Sequence, residues 1–389
     1  MKKNYFVILF IFLMTSLYAT DIFNESRIKF VKGNVLDKIQ IIKESDKTNA
    51  AKLSPYALNF VIENINLLNN DRDLAGLAIV SILAYPESEY IKEPEEIINK
   101  LESIYYNFSD ENVKITILDK IYSLYKIKPS ENSAKFINNY LIESHKDNIQ
   151  PSEVEKKAIQ IISEISNESS FEILYNIYDS NSWNNINSIL KNALVTLATN
   201  SPNKINELIQ NANIEKLQKI YTLFLDSDKN ILNIKPEIAE NFLRRSMIII
   251  KESSMISKEI SDFQLNICKI LFENNWTRSA ELMVSYFEIA KNEFNSGFLT
   301  EQDFSNVIKY VERLASKKSV KIFISYLEDL NGQMTKGSLS SETVVSALIQ
   351  ALGSLGDKSA FDCLLYTTYL NYSEEVIAQA RSALSSLKW

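Results

Sequence analysis

Val344, Leu348, Ala351, Leu352 and Leu355 reappear 32 residues later as Val376, Ala380, Ala383, Leu384 and Leu387. Each set occupies offsets 0, +4, +7, +8 and +11, a stripe along one face of an α-helix that needs cover from neighbouring elements. The same offsets fit Val154, Ala158, Ile161, Ile162 and Ile165, and again Ile186, Leu190, Ala193, Leu194 and Leu197. They fit Val113, Ile117, Ile121 and Leu124 as well, with Lys120 breaking the +7 place. A chain that repeats one such stripe is constrained to stack helix upon helix.

The rest of the sequence is consistent with that constraint. After residue 34, apolar residues recur at helical spacing and no stretch alternates as a strand does. Only 7 of the 389 residues are glycine and 7 are proline, which disfavours turn-rich β-sandwiches and Gly-rich phosphate loops. Helix starts are expected at Ser54-Pro55, Asn70-Asp71, Glu93-Pro94, Asp110, Ser130, Pro151-Ser152, Ser201-Pro202 and Lys235-Pro236, with a stop at Tyr85-Pro86. The pattern predicts about nineteen short helices in antiparallel pairs. One strand is expected, Arg27 to Val31.

Glu342 to Asp357, with its run Ala351-Leu352-Gly353-Ser354-Leu355-Gly356-Asp357, resembles the second helix of a HEAT repeat. Lys358 to Leu365 looks like the first helix of the next repeat. The arginine usual after the valine is missing, since Val345 and Ile377 stand there. The resemblance is clearest over 317–389, extends over 54–199 and is weakest over 227–300. Tetratricopeptide repeats fit less well, because their fixed 34-residue period does not recur. The resemblance implies an all-α, right-handed α-solenoid of about eight to ten antiparallel helical hairpins, used as a binding scaffold. The organisation expected is a leader at 1–19, an N-terminal segment and capping helix at 20–52, a repeat sub-array at 53–226, degenerate repeats at 227–300 and HEAT-like repeats at 301–389. Residues 231–236 and 252–258 are the expected places for a bend or junction.

Lys2 and Lys3 followed by ten uncharged apolar residues, Tyr5 to Met14, and a polar stretch up to Ala19 have the form of a secretory signal peptide. The run falls short of the roughly 20 residues that span a bilayer as a helix. Cleavage after Ala19 would leave 40 basic and 49 acidic side chains, a formal charge of −9. That balance disfavours nucleic acid and anionic lipid as ligands and leaves protein partners or neutral ligands. No membrane insertion of the mature chain is expected, and its destination is the periplasm, the cell envelope or the exterior. Cys268 and Cys363 are expected to remain free thiols, about three hairpins apart and beyond bridging distance.

Chemistry is sparse. His145, the one histidine, sits in a polar turn with no evident partner, so it is read as a solvated loop residue. Asp226-Ser227-Asp228-Lys229-Asn230 begins like a calcium loop, but Ile231 stands where glycine is required. Gly353 and Gly356 read as a helix C-terminus and not as a phosphate loop. Arg244-Arg245 is read as a solvated pair able to grip a partner's carboxylate. Tyr105-Tyr106, Tyr366, Tyr369 and Tyr372 are assigned to core packing. Sequons at Asn24, Asn107, Asn167, Asn275 and Asn371 are expected by chance in so Asn- and Ser-rich a chain. No catalytic, cofactor-binding or metal residue is assigned, and no cofactor is expected. The reading is an exported, non-catalytic scaffold for protein–protein interaction. Its alternative is an exported α/α-toroid enzyme acting on a polysaccharide, whose paired carboxylates simple counting does not exclude.

Overall fold

The computed structural model describes residues 23–68, 71–147, 150–165, 168–225, 234–253, 256–338 and 340–388. The leader at 1–19, the Asp226–Asn230 run, Asn167 and Trp389 lie outside them. Every regular element among the described residues is a helix; the sole extended pairing there is one bridge between Asp357 and Lys388. The chain forms two compact units, divided between Asn200 and Ser201.

In the first unit, α1 covers 23–32. After it come α2 (Val35–Glu44), α3 (Lys47–Asn64), α4 (Arg72–Ala84), the short α5 (Glu87–Lys92) and α6 (Pro94–Asn107). The unit continues with α7 (Glu111–Ile127), α8 (Glu131–Lys146), α9 (Glu153–Ile165), α10 (Glu168–Asp179) and α11 (Asn187–Ala198). Helices α2, α4, α7, α9 and α11 touch in succession and make one row. Helices α3, α6, α8 and α10 make a second row, and consecutive helices pack across the two. The stripes read from the sequence are the residues between them: Val113, Ile117, Ile121 and Leu124 are fully buried, as are Ala158 and Ile162.

The second unit holds α12 (Pro202–Gln210), α13 (Ile214–Phe224), α14 (Lys235–Ser253), α15 (Lys258–Glu273) and α16 (Ala280–Asn295). It ends with α17 (Glu301–Ala315), α18 (Val320–Thr335), α19 (Glu342–Leu355), α20 (Phe361–Thr367) and α21 (Glu374–Ser386). Helices α15, α17, α19 and α21 touch in succession, and the Tyr221 ring of α13 meets Phe263 of α15 at 5.1 Å. Val344, Leu348 and Leu352 of α19 are fully buried in this row. Gly353 is not a terminal residue but a close-approach point: a Cβ there would lie 2.9 Å from the Ala383 Cβ on α21. Gly356 is the helix cap, in the left-handed region at φ 64°.

Most starts follow the expected caps. Asp71 and Asp110 accept backbone N–H bonds at the heads of α4 and α7, and Pro94 and Pro202 occupy the first turns of α6 and α12. Two expectations are corrected. The stretch Arg27–Val31 is helical, within α1, and a Glu25–Lys29 ion pair of 2.9 Å bridges one turn of it. Its charged–apolar alternation imitates a strand, but an isolated strand would leave its backbone groups unpaired. Likewise, α3 does not start at Ser54-Pro55. It starts at Lys47, where the Asp46 carboxylate accepts from the N–H groups of Thr48 and Asn49, and Pro55 falls inside the helix. There Pro55 has no N–H to give the Ala51 carbonyl. Ser54 is buried and donates to the Ser81 carbonyl of α4 at 2.7 Å.

Short 3-10 turns at Asn184–Ile186, Thr277–Ser279, Ser316–Ser319 and Lys358–Ala360 lead directly into α11, α16, α18 and α20. At or just before each, the chain passes through positive φ, at Asn181, Asn275, Ser316 and Gly356. Ser316, exposed at φ 50° and ψ −131°, occupies a region nearly reserved for glycine. Ser316→Gly is therefore expected to stabilise the second unit by about 1 kcal/mol, part of the relief being offset by the freer unfolded chain. Urea unfolding measures it, and an unchanged midpoint would refute the strain. Leu352→Asp places an unpaired carboxylate inside the α19 row and is expected to cost about 4 kcal/mol or more. Retention of full helicity and the parental melting temperature would show that Leu352 is not a core residue.

Candidate functional site

The residues singled out in the sequence do not converge. His145 lies at the end of α8, with Nε2 2.9 Å from the Ser180 hydroxyl and its ring edge against Trp183 at 5.8 Å. This serine partner, 35 residues away, was not evident from the sequence. The Ser180 hydroxyl also lies 2.7 Å from the Ile177 carbonyl and 2.9 Å from the Ser182 hydroxyl, so three groups share its one proton. Arg244 pairs with Glu240 at 3.1 Å, and Arg245 donates to the Ala212 carbonyl at 3.0 Å. Both arginines thus brace the fold. Glu240 also accepts from the Trp276 indole at 2.8 Å and pairs with Arg278 at 3.3 Å. Tyr105 and Tyr372 are core residues, whereas Tyr106, Tyr366 and Tyr369 are exposed. Helical spacing alone did not separate them. Cys268 and Cys363 are free and buried. Among the described residues no cluster of three or more His, Cys, Asp or Glu could hold a metal ion, and no helix is long and apolar enough to cross a membrane.

The first unit carries an open groove of about 1330 Å³ instead. The end of α2, the front half of α3, the end of α4 and the start of α5 enclose it, and Lys120 of α7 lies at its edge. Ala51, Pro55, Val80, Leu83 and Pro86 give it an apolar lining, and Leu83 is 65% exposed. Lys43, Lys47 and Lys52 line it together with Glu87 and Glu89. Glu89 is already paired with Lys92 at 2.9 Å. The Lys52 ammonium sits 5.1 Å over the Phe23 ring, and the Arg27 guanidinium 5.3 Å over Tyr56. Lys120 donates to the Tyr85 carbonyl at 2.8 Å, and burial lowers its pKa. Burial together with the charges of Glu89, Glu96 and Glu93 pushes the Tyr85 hydroxyl up to about 12. The groove therefore offers apolar surface and positive charge. The sequence hid the groove because its lining comes from six helices, and its one local signal was the proline inside α3.

Perturbed carboxylates occur elsewhere, on the surface, where Glu93 is raised by the hydrogen bond and charge of Glu96, and inside the core. Glu155 of α9 is buried, and burial alone would raise its pKa. The Tyr140 hydroxyl and the Ser152 N–H and hydroxyl, the latter two at 2.8 Å, hold it below the usual range. Glu293 of α16 is the opposite case. It is fully buried, neither carboxylate oxygen has a hydrogen-bond partner, and the hydroxyl of Tyr286 on the same helix is likewise unpartnered. Burial pushes Glu293 up to about 7, against an opposing pull from the nearby Ser261 hydroxyl and with a smaller upward contribution from the charge of Asp262. Compared with known proteins, the chain matches no protein family and no curated sequence.

Glu293 makes the second unit sensitive to pH. An unfolded carboxyl titrates near 4.5 and this folded one near 7, so between those values the native state alone keeps the proton. Stability from this group is greatest below about 4.5, falls as the pH rises to 7 and is flat above, a loss on the order of 3 kcal/mol. Glu293→Gln is expected to melt higher than the parent at about pH 8 and to flatten the slope between about pH 5 and pH 7. An identical pH profile of melting temperature in the two proteins would overturn the assignment.

Proposed function

We propose that this chain is an exported, non-catalytic, HEAT-like α-solenoid that acts as a scaffold for protein–protein interaction in the cell envelope. The observation that carries the reading is the row packing: in the first unit α2, α4, α7, α9 and α11 touch in succession beside the row α3, α6, α8 and α10, and in the second unit α15, α17, α19 and α21 touch in succession. Such nearest-neighbour stacking is the packing a repeat array requires. The leader-like pattern of residues 1–19 supports export. The groove in the first unit supports a binding role, since it offers apolar surface and lysines.

Two measurements test this. N-terminal sequencing of the protein from a fractionated cell is expected to read from Thr20 in the exported fraction; an intact Met1 in the cytoplasm would refute export. In-cell crosslinking of a tagged chain, followed by purification and mass spectrometry, is expected to recover one or two stoichiometric envelope proteins. Recovery of attached glycan without protein would replace the scaffold reading with that of a polysaccharide-acting enzyme.

A further inference from the structure

The groove between α3 and α4 has a chemistry more specific than an apolar cleft. The whole chain carries a formal charge of −7, yet Lys43, Lys47 and Lys52 line this one groove. Lys43 and Lys47 have no acidic partner among the described residues. Of the two groove carboxylates, Glu89 is paired with Lys92, which leaves Glu87 as the one negative charge against them. Leu83 lines the same groove, a large apolar side chain left 65% exposed where most of its neighbours on α4 are buried. An apolar seat and an excess of ammonium groups are what an acidic peptide with one apolar anchor would satisfy.

We infer that this groove binds a segment of the protein partner in which a leucine- or phenylalanine-like side chain is flanked by carboxylates. The anchor packs on Leu83 and Pro55, and the carboxylates meet Lys43 and Lys47. This inference rests on the scaffold reading and names the chemistry of its partner. It takes charge complementarity as its basis, so binding must weaken with salt and with charge reversal at the lysines.

The test uses the purified mature chain and a random-peptide library displayed on phage, with the Leu83→Asp protein as counter-selection. Leu83 is exposed, so the variant is expected to fold, and an unchanged melting temperature verifies that. The expected outcome is an enriched consensus with Asp or Glu on both sides of a large apolar residue. A synthetic peptide of that consensus is expected to lose about tenfold or more in affinity, read by fluorescence anisotropy, on Lys43→Glu with Lys47→Glu. A basic or uncharged consensus would overturn the inference, as would a consensus retained by Leu83→Asp or no enrichment over it. The in-cell crosslink separates this failure from that of the scaffold reading. A partner recovered equally with parent and Leu83→Asp removes the groove and keeps the scaffold, whereas no partner with the parent removes the scaffold itself.

Discussion

A helix bearing one apolar stripe gains most when helices on both sides cover it, and each unit of this protein is arranged around that requirement. In the row α7, α9 and α11, the stripe of each helix is the surface its neighbours pack on. Small residues set how close those helices come. Gly353 on α19 meets Ala383 on α21 with no room for another methyl group, and Gly76 on α4 leaves only 3.3 Å between an added Cβ and the Ile39 methyl of α2. Alanine fills the +7 place of the α11 and α19 stripes, and Ala193 and Ala351 are both buried there. Lys120 occupies that place on α7, and its long side chain carries the charge past the interface to the Tyr85 carbonyl. The break in the stripe thus places a cation at the edge of the groove.

A second constraint concerns the turns. Short connections between packed helices force the backbone through positive φ, and a chain with 7 glycines has few to spend there. Asn181 and Asn275 meet the demand with a residue that tolerates the left-handed region. Asn275 also accepts a bond from Arg313 at 3.2 Å, which ties the turn to α17. Low glycine content therefore did not mean an absence of tight turns. It meant that asparagine and serine took several of them.

These particulars show what was legible in the sequence. Periodicity found the stripes because burial acts on side-chain spacing, and the caps at Asp71 and Asp110 were readable because their effect is local. Pro55 misled because Asp46, nine residues before it, supplied a stronger start. Arg27–Val31 misled because five alternating residues fit both periods, and the choice between them is made by the available partners. The groove and the buried carboxylates were out of reach for a different reason. Nothing in Lys291-Asn292-Glu293 distinguishes a core carboxylate from a solvated one. Only the packing of α15 and α16 decides that.

Glu155 and Glu293 also show what perturbs a carboxylate in this protein. Both carboxylates are perturbed, one downward by donors and one upward by burial. A perturbed titratable group marks a functional site when a substrate can reach it. Here both are sealed among helices, Glu155 at 3% exposure and Glu293 at 0%. Glu93 and Glu96 are the exposed counterpart, Glu93 raised by the hydrogen bond and charge of Glu96, and Glu96 lowered by Glu93 and Lys100. Burial and buried donors set the first pair and mutual contact sets the second, so the perturbations of the core report on packing and those of the surface on neighbouring charge.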